Sequence, residues 1–194
     1  MKKLMLQISL LMLICACATY DINERHASIT DSNHQIERVA VVDFNFDRPE
    51  KGRAYRGRII RPANAGSILA DIFTQHLLGS GLYQVVERGK IDQILRENNI
   101  DPAGIFAASN LDKLRKILNV DGLIVGAVLE YGDWRTAINW GGTSSFTARL
   151  VDIDTGLVIW ATSANLSIAM TNSGAVAHAS TDVALKELLT QLGK

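Results

Sequence analysis

Cysteine is nearly missing from this 194-residue chain: Cys15 and Cys17 are its only two, both near the amino terminus. That leaves no pair elsewhere for a disulfide framework and no thiolate set for a zinc site. Proline is scarce at three residues and glycine stands at 15, which excludes a collagen-like or low-complexity chain. Neither sign of charge prevails, with 20 Lys and Arg against 20 Asp and Glu. A dedicated nucleic-acid binder needs a basic surplus to capture a polyphosphate, so this balance argues against one. No apolar run reaches the roughly 20 residues that a spanning helix requires. What is present is 47% hydrophobic residues, enough for one packed domain and too many for intrinsic disorder.

The amino terminus reads as an export signal. Lys2 and Lys3 precede a 13-residue apolar stretch, Leu4 to Ala16, broken only by Gln7 and Ser9. The stretch ends Leu13-Ile14-Cys15-Ala16-Cys17, which resembles the bacterial lipobox, where a small residue precedes the cysteine that receives lipid. Ala16 makes Cys17 the fitting acceptor, whereas Ile14 is too bulky to precede Cys15 in that role. The alternative is an ordinary cleaved signal with incidental cysteines. Cleavage before Cys17 leaves no free thiol in the mature domain, hence no cysteine nucleophile. The lipobox resemblance implies a diacylglycerol and an amide-linked acyl chain such as palmitate on Cys17, and no other cofactor. At about 0.8 kcal/mol per buried methylene, three chains make a permanent anchor. Ala18, rather than Asp, follows the cysteine, so by analogy the expected destination is the outer membrane of a Gram-negative cell, with the domain facing the periplasm.

The expected organisation is a signal peptide over 1–16, a lipidated cysteine and flexible tether over 17–36, and one domain over 37–194. Ala18 to Gln35 is polar and without apolar period; a coil of that length spans about 25 Å. Val39-Ala40-Val41-Val42 is a continuous apolar run suited to an internal strand. Ile68, Leu69, Ile72, Phe73 and Leu77 recur at helical spacing, and Gly79-Ser80-Gly81 stops that helix. Tyr83 to Val86 is a second strand, followed by helices built on Ile91, Ile94 and Leu95 and on Leu111, Leu114, Ile117 and Leu118. Leu123 to Leu129 is the most apolar strand. Phe146 to Ile153 and Leu157 to Leu166 flank Asp154-Thr155-Gly156, a hairpin signal. A helix carrying Val176, Ala179, Val183, Leu188 and Leu192 closes the chain. The order β-α-β-α-α-β-β-β-α predicts an α/β (α+β) fold, a mixed β-sheet with helices packed on it.

A search for chemistry yields little. His26, His34, His76 and His178 have no metal-ligand spacing, and no nucleophile elbow, zinc helix motif or phosphate loop occurs. The acidic pairs Asp43 with Asp47 and Asp152 with Asp154 are of a kind that can do acid–base work, but strand-end acids ordinarily bond turn amides. Arg48, Lys51, Arg53, Arg56, Arg58 and Arg61 against Glu50 alone give +5 in fourteen residues. Removing residues 1–16 leaves 18 basic against 20 acidic residues, −2, so the rest of the mature chain carries −7. Such a segment is either a solvated mobile loop or a contact site for anionic headgroups, lipopolysaccharide phosphates or an acidic neighbour; Tyr55 among the arginines favours contact. Trp160 is expected in the core. Trp134 and Trp140 bracket the connection between two strands, where their rings are candidates for contact with a partner or a membrane interface.

Val39-Ala40-Val41-Val42-Asp43-Phe44, Tyr83-Gln84-Val85-Val86-Glu87-Arg88, Val120 to Gly126 and Arg149 to Trp160, in that order behind a lipobox, resemble the curli assembly and transport lipoprotein family, CsgG, whose relatives include the penicillin-binding-protein activator LpoB. The resemblance spans nearly all of the mature chain. It implies a non-enzymatic outer-membrane lipoprotein that works through periplasmic protein contacts as an assembly or regulatory factor of an envelope complex, with an unidentified protein partner and a possible homo-oligomer. A ligand-binding accessory role and an oligomeric curli-type secretion channel are the alternatives. The channel meets a difficulty of length. Two membrane hairpins need about 40 residues beyond the soluble domain, while Tyr131 to Ser145 offers fifteen and Leu166 to Ser173 eight. The chain therefore reads as a short form lacking the transmembrane hairpins.

Overall fold

A computed structural model describes residues 21–30, 36–54, 57–100, 105 and 108–193. The signal segment and Cys17 lie outside the described residues, as do Tyr55 and Arg56. In chain order the elements are β1 (Asp21–Ile29), β2 (Arg38–Val41), β3 (Lys51–Ala54), β4 (Gly57–Ile60), α1 (Ala65–Ser80), β5 (Gln84–Val86), α2 (Arg88–Glu97), α3 (Ala108–Leu118), β6 (Gly122–Arg135), β7 (Trp140–Asp152), β8 (Val158–Ala169) and α4 (Ser173–Gln191). They form one mixed sheet of order β1-β8-β7-β6-β2-β5, with the β3–β4 hairpin added against the far end of β6. The architecture is the α+β one expected, a sheet with helices packed on it.

The apolar run at Val39 is internal for the reason its composition gives. Val39, Ala40 and Val41 are wholly buried, and β2 lies parallel between β5 and β6. One face of the sheet carries Val39, Val41, Ile124, Phe146, Leu150 and Trp160 against α1 and α4. The other carries Ala40, Val42, Leu123, Val125 and Val151 against α2 and α3. The first layer is centred on an aromatic cluster in which Phe73 meets Phe44, Phe146 and Trp160 at centroid distances of 5.7 to 6.4 Å. The Trp160 indole N–H donates to the Tyr83 hydroxyl at 3.0 Å, so even the largest core ring has its polar atom satisfied.

Local chemistry sets the element ends. Gly81 takes φ 66° and returns its N–H to the Leu78 carbonyl, stopping α1 as its glycine signal predicts. The Glu87 carboxylate accepts from the Gly89 and Lys90 amides to start α2, and those bonds hold its pKa below the usual carboxylate range. Asn172 caps α4 through the Ala175 amide. Between β7 and β8, the Asp152 carboxylate accepts from the Thr155 amide and hydroxyl, and Gly156 adopts φ 71°.

Two expectations are corrected here. The segment read as a flexible tether is in part a strand: Asp21–Ile29 pairs antiparallel with β8, from Asp21 opposite Ser167 to Ile29 opposite Trp160. Its weak apolar pattern is explained by its place at the sheet edge. Among its described side chains Ala27 and Ile29 pack on the core, while Arg25, His26 and Ser28 face solvent. The basic segment read as a loop is, in its described residues, the β3–β4 pair, whose second strand pairs with β6 at Arg58 opposite Arg135 and Ile59 opposite Trp134.

The mid-strand glycine of β6 is there for space. A Cβ on Gly126 would stand 2.7 Å from the Phe44 ring and 2.6 Å from the Thr147 carbonyl oxygen. Gly126→Ala is therefore expected to lower unfolding free energy by about 1–3 kcal/mol, as overpacking does, measured by urea denaturation at unchanged m-value.

Candidate functional site

Three of the four acids considered for catalysis are occupied structurally. Asp43 and Asp71 both accept from the Arg88 guanidinium at 2.6 Å, and Arg88 also donates to the Ser67 hydroxyl at 2.9 Å. This clasp ties the end of β2 to α1 and to the first turn of α2. Asp152 holds its turn, as described, and Asp154 pairs with Arg115 at 2.6 Å. Asp47 is exposed. Among the described residues no group of three or more His, Cys, Asp or Glu is placed to hold a metal ion.

The basic residues and tryptophans separate into two kinds. Arg61 is buried, and its guanidinium makes a two-point contact with Glu130 of β6, at 2.6 Å from Nε and 3.0 Å from Nη2, with Nη1 donating to the Pro49 carbonyl at 3.3 Å. The bond to Glu130 raises the Arg61 pKa against the opposing effect of burial. Arg61 is thus not a surface contact but the pin that fastens the hairpin to the sheet. Trp134 is likewise no recognition residue. Only 2% exposed, it packs with Ile59 and Ala169, and its indole N–H is shared between the Gly142 carbonyl at 3.2 Å and the Ser167 hydroxyl at 3.1 Å. The alternation of β6 explains the difference: Trp134 and Arg135 are adjacent and so face opposite ways.

Arg48, Lys51, Arg53 and Arg58 are exposed, as is Trp140 at 47%. The pairing register brings several of these together with residues that sequence reading did not single out. Arg53 lies opposite Arg58, Arg58 opposite Arg135, and Arg135 opposite Trp140. The Met170 amide then donates to the Trp140 carbonyl at 2.9 Å. Directly opposed residues share a sheet face, so these positions form one cross-strand row at the end of the sheet. Ile138 at 97%, Met170 at 70% and Ile60 at 56% exposure add apolar surface there. Arg135, Ile138 and Met170 are separate in sequence from the arginine run, and only the pairing of β4, β6 and β7 assembles them.

A second feature is an open groove of about 830 Å³ on the α2–α3 side of the sheet, where those helices stop short of β1 and β8. Its floor is built of small residues, Ala127, Thr147, Ala161 and Ser163, and His26 and Asn45 stand among its lining residues.

Sequence and fold place the chain among known proteins. Residues 26–148 match the family model described as "Curli production assembly/transport component CsgG". The chain belongs to the CsgG family. Among solved structures it is similar to the PelC dodecamer of Paraburkholderia phytofirmans, at 19% identity and TM-score 0.57 over 85% of this chain and 96% of that one. It is similar as well to lipoprotein GNA1162 of Neisseria meningitidis, at 21% identity and TM-score 0.57 over 81% of this chain and 98% of that one. The LpoB C-terminal domain of Salmonella enterica is a weaker likeness, with 9% identity and TM-score 0.43 over 69% of this chain and 84% of that one. No curated protein matches the chain in sequence.

Between α1 and α4, His76 Nε2 and His178 Nδ1 stand 3.1 Å apart, one donating and the other accepting. Burial, and then the neighbouring His178, lower the His76 pKa below its ordinary 6.5, with Lys186 acting the same way and Asp182 opposing. A folded-state pKa below the unfolded one gives stability that is present above about pH 6.5 and lost as pH falls through the lowered value. Melting temperature is accordingly expected to drop as pH is lowered below about 6.5, and to drop less in His76→Gln. For the hairpin pin, Glu130→Ala strands a buried guanidinium and is expected to cost about 3 kcal/mol, read by chemical denaturation.

Proposed function

We propose that this CsgG-family protein is a non-enzymatic outer-membrane lipoprotein, held by acyl chains on Cys17, that serves a cell-envelope complex as an assembly or regulatory factor through periplasmic protein contacts. The observation that carries the reading is the family match over residues 26–148, joined to the lipobox at Cys17. Supporting it, Asp43, Asp152 and Asp154 are engaged in ion pairs and a turn, and exposed arginines and apolar side chains gather at one sheet end. Self-association belongs to the reading as well, since the similar PelC is a dodecamer.

A secretion channel of curli type is the second reading, favoured by the transport role in the family's description. Against it stands the use made of Tyr131–Ser145. These residues are the end of β6, a turn over 136–139 and the start of β7, paired from Tyr131 opposite Ser144 to Arg135 opposite Trp140. They extend the main sheet and leave no further length for a membrane hairpin.

Three measurements test the proposal. Cys17→Ser is expected to abolish labelling by radioactive palmitate and to move the protein out of the mature membrane-anchored pool; unaltered labelling sinks the anchor. Cross-linking in intact cells followed by mass spectrometry is expected to capture envelope proteins or further copies of the chain. Single-channel conductance from the purified protein in planar bilayers would instead favour the channel.

A further inference from the structure

The cross-strand row described above has an electrostatic fault when considered alone. Arg53, Arg58 and Arg135 sit on three adjacent strands in direct register, at an interstrand spacing of about 4.8 Å. Like charges directly opposed in a sheet destabilise it, and among the described residues none of the three makes an ion pair with a carboxylate. The arrangement therefore calls for an anion from outside the domain. Beside the guanidiniums, the row continues into an exposed indole and an exposed thioether, Trp140 and Met170, with Ile138 at the neighbouring hairpin tip. Indole at the margin of a phosphate-rich surface and aliphatic chains beyond it is the side-chain order of a membrane interface.

The path of the chain supports a bilayer as the occupant. Asp21, the first residue of β1, pairs with Ser167, and β8 ends two residues later at Ala169, which is opposite Gly141. The strand that follows the amino terminus thus begins at the same sheet end as Trp140 and Met170. From Cys17 to Asp21 is four residue steps, a reach of at most about 14 Å. Resting on the reading of Cys17 as lipidated, we propose that this row is a bilayer-docking edge. The three arginines take headgroup phosphates of an anionic phospholipid leaflet, and Trp140, Met170 and Ile138 enter the interfacial layer.

The test uses full-length protein extracted from membranes and reconstituted into vesicles of phosphatidylglycerol and brominated phosphatidylcholine, with tryptophan fluorescence as the readout. Trp134 and Trp160 are buried, so quenching by bromine is expected to come from Trp140 and to vanish in Trp140→Phe. The variant carrying Arg53→Gln, Arg58→Gln and Arg135→Gln is expected to show quenching reduced at least about twofold, as is wild type in vesicles lacking phosphatidylglycerol. Equal quenching in wild type and Trp140→Phe, or quenching indifferent to phosphatidylglycerol, overturns the proposal. The Trp140→Phe comparison stands alone if the triple variant fails to fold. Mass spectrometry of the amino-terminal peptide reads the anchor separately: acyl chains without quenching leave the anchor and remove the docking edge, whereas quenching without acyl chains does the reverse.

Discussion

Strand β6 is shared between partners that cannot all be served by a short or slipped strand. Its first residues pair in parallel with β2, its middle receives the bridge from Asn45 opposite Ala127, and its last residues pair with β4, while β7 runs along its whole other side. A one-residue slip would exchange the faces of Leu123 and Ile124, which are both fully buried but belong to different helix layers. The register break between Val128 and Glu130 is the one place where alternation is reset. Val128 packs with the α1–α4 layer before the break and Tyr131 after it, so Glu130 turns to the other side and meets Arg61. The attachment of the basic hairpin thus depends on a single extra residue, Leu129, left exposed at the bulge.

Much of the framework could be read from the residues because burial and sequence agree there. The Val39 run, the glycine stop at Gly81 and the Asp152–Gly156 turn each announce a structure that local physics suffices to fix. The parts not legible are held by something distant in sequence. β1 has little apolar pattern because β8 supplies its backbone partners. The β3–β4 hairpin reads as a charged loop because its stability comes from Arg61 meeting a glutamate 69 positions away. Trp134 and Trp140 look equivalent by their spacing around a connection, yet strand parity buries one and exposes the other. The contribution of Arg135 was hidden for the same reason: a lone arginine six residues from Leu129 has no visible relation to Arg53 until β4 is placed beside β6.

The functional reading follows from how the polar groups are spent. Asp43, Asp152 and Asp154 are committed to guanidiniums and turn amides, and the interior is built on packed aromatic rings. The unspent chemistry is at the periphery, in cations and apolar side chains at one sheet end and in a shallow, small-residue floor on the half-covered face. The proposed reading rests on this distribution and on membership of a family named for assembly and transport.

The pairing of β1 also bears on mechanics. Antiparallel hydrogen bonds lie across the strand axis, so a tug at the amino terminus directed along β1 loads its whole ladder to β8 in shear instead of unzipping one rung at a time. Pulled along that strand, the domain resists with all the rungs of the ladder together.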